Sequence, residues 1–94
     1  MSSGGEMKLE KFNNLNQKCV VRIDQDCEEF FLSYNGGVYK INEVGYEIIK
    51  LLDKKFSVPQ IINILSTKYN VVSQDIKEDV IEFVEKLKVL KLCN

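Results

Sequence analysis

Thiols are the side chains of this 94-residue chain best equipped for chemistry, and there are three of them, Cys19, Cys27 and Cys93. A thiol attacks or ligates as the thiolate, so catalysis needs an activating base beside it, and structural zinc needs further sulfur or imidazole ligands. The chain has no histidine and no Cys-x-x-Cys pair. Histidine-dependent dyads and triads are thereby excluded by composition, and a zinc site of the mixed type cannot be completed. The thiols read as reduced, partly buried structural groups, since free cysteine packs as a small hydrophobe. No phosphate-binding glycine loop, paired-carboxylate signature or metal constellation occurs elsewhere. The residues nominate no catalytic group, no metal and no cofactor, and the chain does not read as an enzyme.

Binding is the class that remains, and electrostatics do not choose the partner. Thirteen basic and fourteen acidic residues leave a net charge of −1, which supplies no basic field for nucleic acid or an anionic membrane. Ninety-four residues with 45% apolar content suit one domain with one core. Folds of this size bury roughly 60 to 65% of the surface that the unfolded chain exposes, which favours a surface groove over an enclosed active site. No apolar run approaches the ~18 residues that span a bilayer, and Met1 to Glu6 hold no apolar signal core. A soluble, cytoplasmic protein without a membrane partner is expected.

The elements that would build such a groove can be read from periodicity. Residues 1–14 are glycine-rich and polar, then mixed, and are expected to form a flexible tail ahead of a domain at 15–94. Cys19 to Asp24 and Glu29 to Tyr34 are β-branched or aromatic runs, read as strands with a polar turn at Gln25-Asp26. Asn35-Gly36 is the strongest hairpin signal, because a type I′ turn needs positive φ at both central residues. It leads into a third strand, Gly37 to Ile41. In that register Tyr34 faces Gly37, Leu32 faces Tyr39 and Phe30 faces Ile41. Phe30, Leu32, Tyr34, Tyr39 and Ile41 then share one face, with Phe31, Ser33, Val38 and Lys40 on the other.

After Ile41 the period changes to about 3.6. Val44, Ile48, Leu51 and Leu52 mark a helix over about 43–54, capped by Asn42. Ser57-Val58-Pro59-Gln60 is a capping box opening a second helix, about 58–69, with Val58, Ile61, Ile62, Leu65 and Tyr69 in its stripe. Ser73 is read as the cap of a third, about 74–88, carrying Asp75 in its first turn and Ile76, Val80, Phe83, Val84 and Leu87 at core spacing. Three antiparallel strands followed by three helices make an α+β domain with helices on one sheet face. Gly45 inside the first helix costs up to ~1 kcal/mol relative to alanine, which points to a bulky neighbour such as Tyr69 or Phe56. Tyr34 and Tyr46 read as half-buried surface aromatics.

The stretch from Gly37 to Asp53, Gly-Val-Tyr-Lys-Ile-Asn-Glu-Val-Gly-Tyr-Glu-Ile-Ile-Lys-Leu-Leu-Asp, resembles a PqqD-like signature. That signature runs small-x-aromatic-x-Leu-Asn-x-x-Gly/Ala-x-x-Ile-x-x-x-Leu-Asp. Ser57-Val58-Pro59-Gln60-Ile61 is similar to the family's Thr-x-x-Glu-Ile helix start, and Asp79 to Leu87 to its Asp-Val-x-x-Phe-Leu-x-x-Leu third helix. The resemblance covers about Val20 to Leu92. It departs where the family often has a glycine followed by leucines, since this chain has Lys88-Val89-Leu90-Lys91-Leu92. The resemblance implies a winged helix-turn-helix that acts as a recognition element and peptide chaperone for ribosomally made, modified peptides. The precursor's leader would add as a strand beside the third strand, against the third helix. The implied partners are that leader and a modifying enzyme such as a radical SAM enzyme, a cyclase or a leader peptidase.

If the strands lie in sequence order, Gly37, Val38, Tyr39, Lys40 and Ile41 form an edge whose outward backbone groups lack partners, with Lys40 its only charge. An extended peptide satisfies such groups by strand addition. Val38 and Tyr39 on the strand, with Val80, Phe83 and Val84 on the third helix, are the candidate pocket residues, although a Phe or Val at helical spacing is more often core than ligand site. Lys77, Asp79 and Lys86 are candidate rim charges. Two rival readings differ in partner. A winged helix could place its third helix in DNA, but Asp75 to Lys88 holds five acids against three bases, the wrong sign for phosphate. The open edge could instead pair with its twin, as a homotypic interaction module.

Overall fold

Four extended segments pair into one sheet. The computed structural model, which describes residues 7–34 and 36–92, has strands β1 (Met7–Phe12), β2 (Cys19–Asp24), β3 (Glu29–Tyr34) and β4 (Gly37–Ile41), then helices α1 (Glu43–Asp53), α2 (Val58–Lys68) and α3 (Ser73–Val89). The strands form one antiparallel sheet in the order β1-β2-β3-β4. The architecture is α+β, with a sheet of four strands where the sequence suggested three. Residues 7–12, assigned above to a tail, pair with β2 along their whole length, from Met7 opposite Asp24 to Phe12 opposite Cys19. Burial of Phe12 in the core anchors this strand.

The β3–β4 register is the one dictated by the hairpin, with Tyr34 opposite Gly37, Leu32 opposite Tyr39 and Phe30 opposite Ile41. Gly36 has φ of +82°, in the left-handed region that favours glycine. The other half of the turn signal, Asn35, lies outside the described residues. In β2 the burial alternates, with Cys19, Val21 and Ile23 inward and Arg22 exposed.

Local signals explain where the helices start and stop. The Asn42 side chain caps α1 by accepting from the Gly45 amide at 2.8 Å, and Ser57 and Gln60 close a reciprocal capping box on α2. Ser73 does not cap α3. The cap position is Val72, without a side-chain bond, and the Ser73 hydroxyl instead lies 3.5 Å from that of Ser66 on α2. Each helix is followed by a residue with positive φ: Lys55 at 72°, Asn70 at 54° and Lys91 at 63°. After α3 the Leu92 amide then donates to the Leu87 carbonyl at 2.9 Å, closing the helix end as in a Schellman motif. Lys91 thus enters, at about 1 kcal/mol, a conformation that glycine adopts freely.

Two core clusters result. One joins the inner sheet face to α1 and α3 through Val21, Leu32, Ile49, Leu87 and Leu92; the other joins the three helices through Ile48, Ile61, Leu65, Ile76, Val80 and Val84. Each fully buried leucine or isoleucine contributes about 2 kcal/mol. Tyr34 and Tyr46 belong to the first cluster and are buried rather than half-buried, because Tyr46 stacks on Phe30 at 5.2 Å and its hydroxyl donates to Glu10 of β1 at 3.0 Å. Phe83 packs against both clusters.

Candidate functional site

β4 is a terminal strand of the sheet, so among the described residues one of its sides has no neighbouring strand. In a two-residue hairpin the pair that closes the turn exchanges both of its bonds, and bonding then alternates along the ladder. With Tyr34 opposite Gly37 as the closing pair, Gly37, Tyr39 and Ile41 bond to β3. The N–H and C=O groups of Val38 and Lys40 therefore face the open edge. Val38 is 62% exposed and Tyr39 is 41% exposed, high values for apolar or aromatic side chains in a strand. Gly37 makes room for the Tyr39 ring: a Cβ there would stand 3.1 Å from the phenol oxygen.

Along this edge runs an open groove of about 910 Å³. The sheet supplies Leu32, Val38, Tyr39, Lys40 and Ile41, and the start of α1 supplies Asn42, Val44, Gly45 and Ile48. The opposite wall is α3, through Asp79, Glu82, Phe83, Lys86, Leu87 and Val89, with Leu90 after it. The walls are mainly apolar and the charges sit among them. Lys40 is paired with Glu29 at 3.0 Å. Among the described residues Asp79, Glu82 and Lys86 form no ion pair, so α3 offers both signs of charge to an occupant.

Seven residues singled out from the sequence meet here: Val38, Tyr39, Lys40, Ile41, Asp79, Phe83 and Lys86. Four do not line the groove. Gly37 begins the strand without reaching it, and Lys77 is exposed elsewhere on α3. Val80 is fully buried and Val84 nearly so, both in the interhelical cluster. The α1 contribution was missed altogether. Its available signal was Gly45, whose bulky neighbour is Phe83 rather than Tyr69 or Phe56: a Cβ at Gly45 would lie 2.8 Å from Phe83 Cε1.

Cys19 and Cys27 lie apart from the groove lining. Burial, reinforced by Asp53, pushes the Cys19 thiol up to about 11, and Asp24 is the main cause of the upward shift at Cys27. Both shifts oppose thiolate formation. Cys27 is exposed in the β2–β3 turn rather than partly buried, and Cys93 lies outside the described residues. Among the described residues no group of three or more His, Cys, Asp or Glu is placed to hold a metal, and no helix is long and apolar enough to cross a membrane.

A family model, coenzyme PQQ synthesis protein D (PqqD), matches residues 20–92. The chain belongs to the PqqD family. The match takes in β2 to β4 and all three helices, and β1 precedes it. PqqD membership implies a peptide-binding accessory role in the biosynthesis of ribosomally synthesised, modified peptides, in a family that is non-catalytic and works with modifying enzymes. No curated protein and no solved structure matches the chain.

Proposed function

We propose that this PqqD domain binds the leader of a precursor peptide as an added strand along β4 and presents it to a modifying enzyme. The observation that carries the reading is the groove between the β4 edge and α3, where unpaired backbone groups border an apolar channel. Val38 and Lys40 pair with the leader's backbone. Alternate leader side chains then project inward over Tyr39, Ile41 and Phe83, while Asp79 and Lys86 meet polar ones at the rim. The helices and the β3–β4 hairpin serve as the helix-turn-helix and wing of a winged-helix arrangement turned to peptide recognition. The enzyme served is one that modifies or cleaves such precursors, of the radical SAM, cyclase or leader peptidase kind.

A leader that is disordered in solution must order on binding, which costs about 2–5 kcal/mol and favours moderate, releasable affinity. That suits a domain that hands its peptide on. The reading is tested by titrating the leader of a precursor encoded beside this protein and following backbone amide shifts. Signals from Gly37 to Ile41 and from the groove side of α3 should move together. Unmoved β4 signals at saturation would sink it.

A further inference from the structure

The contact between Gly45 and Phe83 joins two walls of the groove. Gly45 lies in the first turn of α1, where its amide is fixed by the Asn42 cap at 2.8 Å. Phe83 sits across from it on α3, so close that an alanine Cβ at position 45 would stand 2.8 Å from Cε1 and 3.0 Å from Cζ. Real Cβ atoms do not approach carbon that closely, so a larger residue at 45 must displace the ring. The ring has little room inward, because Ile48, Val80 and Leu87 are all at most 1% exposed and packed in the two clusters that it bridges. It can move only outward, into the groove.

We infer that Gly45 is a specificity-determining residue: by letting the Phe83 ring lie against α1, it keeps open a subsite that takes one large apolar side chain from the bound peptide. The subsite is walled by Ile41, Gly45, Ile48, Phe83 and Leu87, all groove residues. Its occupant is a leucine- or phenylalanine-sized side chain, since these walls carry no polar side chain that would hold a smaller polar one in place. An added strand supplies such a side chain from the inward-facing position nearest Ile41, because paired residues project to the same sheet face. This chain has glycine here although alanine is the better helix former. The free space, rather than the helix, accounts for the residue.

The inference rests on the reading of the groove as a leader site, and blocked single amino acids test it without any leader. N-acetyl-phenylalaninamide, N-acetyl-leucinamide and N-acetyl-alaninamide are titrated into the full chain while the amides of Gly45 and Ile48 and the Phe83 ring signals are followed. The phenylalanine and leucine probes should shift these signals and the alanine probe should not. Gly45→Ala should weaken the two large probes about tenfold, the range over which a hydrophobic pocket discriminates one or two methylenes. The double change Gly45→Ala with Phe83→Leu removes the clash and should restore binding, which separates a filled pocket from a damaged fold. Equal affinity in wild type and Gly45→Ala, or no shift in wild type, overturns the inference. Gly45-dependent binding of the probes, with a leader that leaves β4 unmoved, would support the subsite and overturn the leader reading alone.

Discussion

Both outer strands of the sheet leave backbone groups unpaired, but β1 carries three charges in six residues, Lys8, Glu10 and Lys11, whereas β4 carries Lys40 alone. The groove takes none of its lining from β1. Beside β4 the α3 helix and the start of α1 enclose an apolar channel. Charged edges resist accidental pairing, and lysine is the residue natural sheets use most for that purpose. The contrast assigns the two edges different tasks. β1 covers the side of β2 that would otherwise be a second open edge, and it does so with a strand that lies ahead of the family match at residues 20–92. One edge is guarded by charge, and the other borders an apolar groove with a single lysine on its strand.

The sharpest way to break this comparison is Val38→Pro. Proline removes the outward-facing N–H at the centre of β4 without touching the ladder to β3, and edge strands tolerate it. Leader affinity should fall roughly a hundredfold, which corresponds to about 3 kcal/mol, while the thermal midpoint changes little. Leu9→Lys on β1 should leave affinity where it was. If calorimetric titration shows Val38→Pro binding like wild type, strand addition at β4 is wrong.

Next in size is an effect on stability. Phe12 is 5% exposed and is the residue by which β1 enters the core. Phe12→Ala should cost about 3 kcal/mol, measured by urea denaturation, with leader affinity retained at temperatures where the variant is folded. A loss well under 1 kcal/mol would mean that β1 hangs loosely on the sheet and does not close that edge.

The same two edges show what a sequence discloses. β3 and β4 were legible to the register, because the Asn35-Gly36 signal predicts the hairpin and Leu32 and Tyr34 are buried while Phe31 and Ser33 between them are half-buried. β1 was hidden by an inverted pattern. Its inward positions opposite Ile23, Val21 and Cys19 are Lys8, Glu10 and Phe12, so only one of three is apolar, while Met7 and Leu9 face out and are 50% and 59% exposed. A period-two reading finds no buried face there. On α3 the stripe containing Val80, Phe83 and Val84 was evident. Its division between core and groove was not, since that depends on where α1 packs. Gly45 was noticed as costly within its helix, but the contact that repays the cost is with a residue 38 positions away.

A smaller effect tests how β1 is tied to the helices. The Tyr46 hydroxyl donates to Glu10 across 3.0 Å, and Tyr46→Phe should cost about 1 kcal/mol. Burial, followed by the bond to Glu10, raises the Tyr46 phenol above its ordinary value of 10.0. A raised value means that the folded state favours the protonated phenol. Its contribution is complete below pH 10 and is lost as pH rises through the raised value. Tyr46→Phe should therefore flatten part of the alkaline decline in stability, measured as denaturant midpoints from pH 8 to 11. An unchanged slope would remove this bond as the tie between β1 and α1.

Lys40 gives the smallest change in stability and bears most directly on why β4 stays free. Its pair with Glu29, at 3.0 Å, is 65% and 37% exposed, and pairs so open to solvent contribute between nothing and about 1 kcal/mol. Lys40→Val should thus shift the denaturant midpoint by less than about 0.5 kcal/mol. What it removes is the one charge that discourages another chain from adding to this edge. Light scattering across a concentration series should show wild type as a monomer and Lys40→Val associating, whereas Lys8→Val on β1 leaves Lys11 and Glu10 in place and stays monomeric. Association of wild type itself would favour pairing between copies through β4. Equal association of both variants would mean that the two edges differ in sequence but not in how they meet another strand.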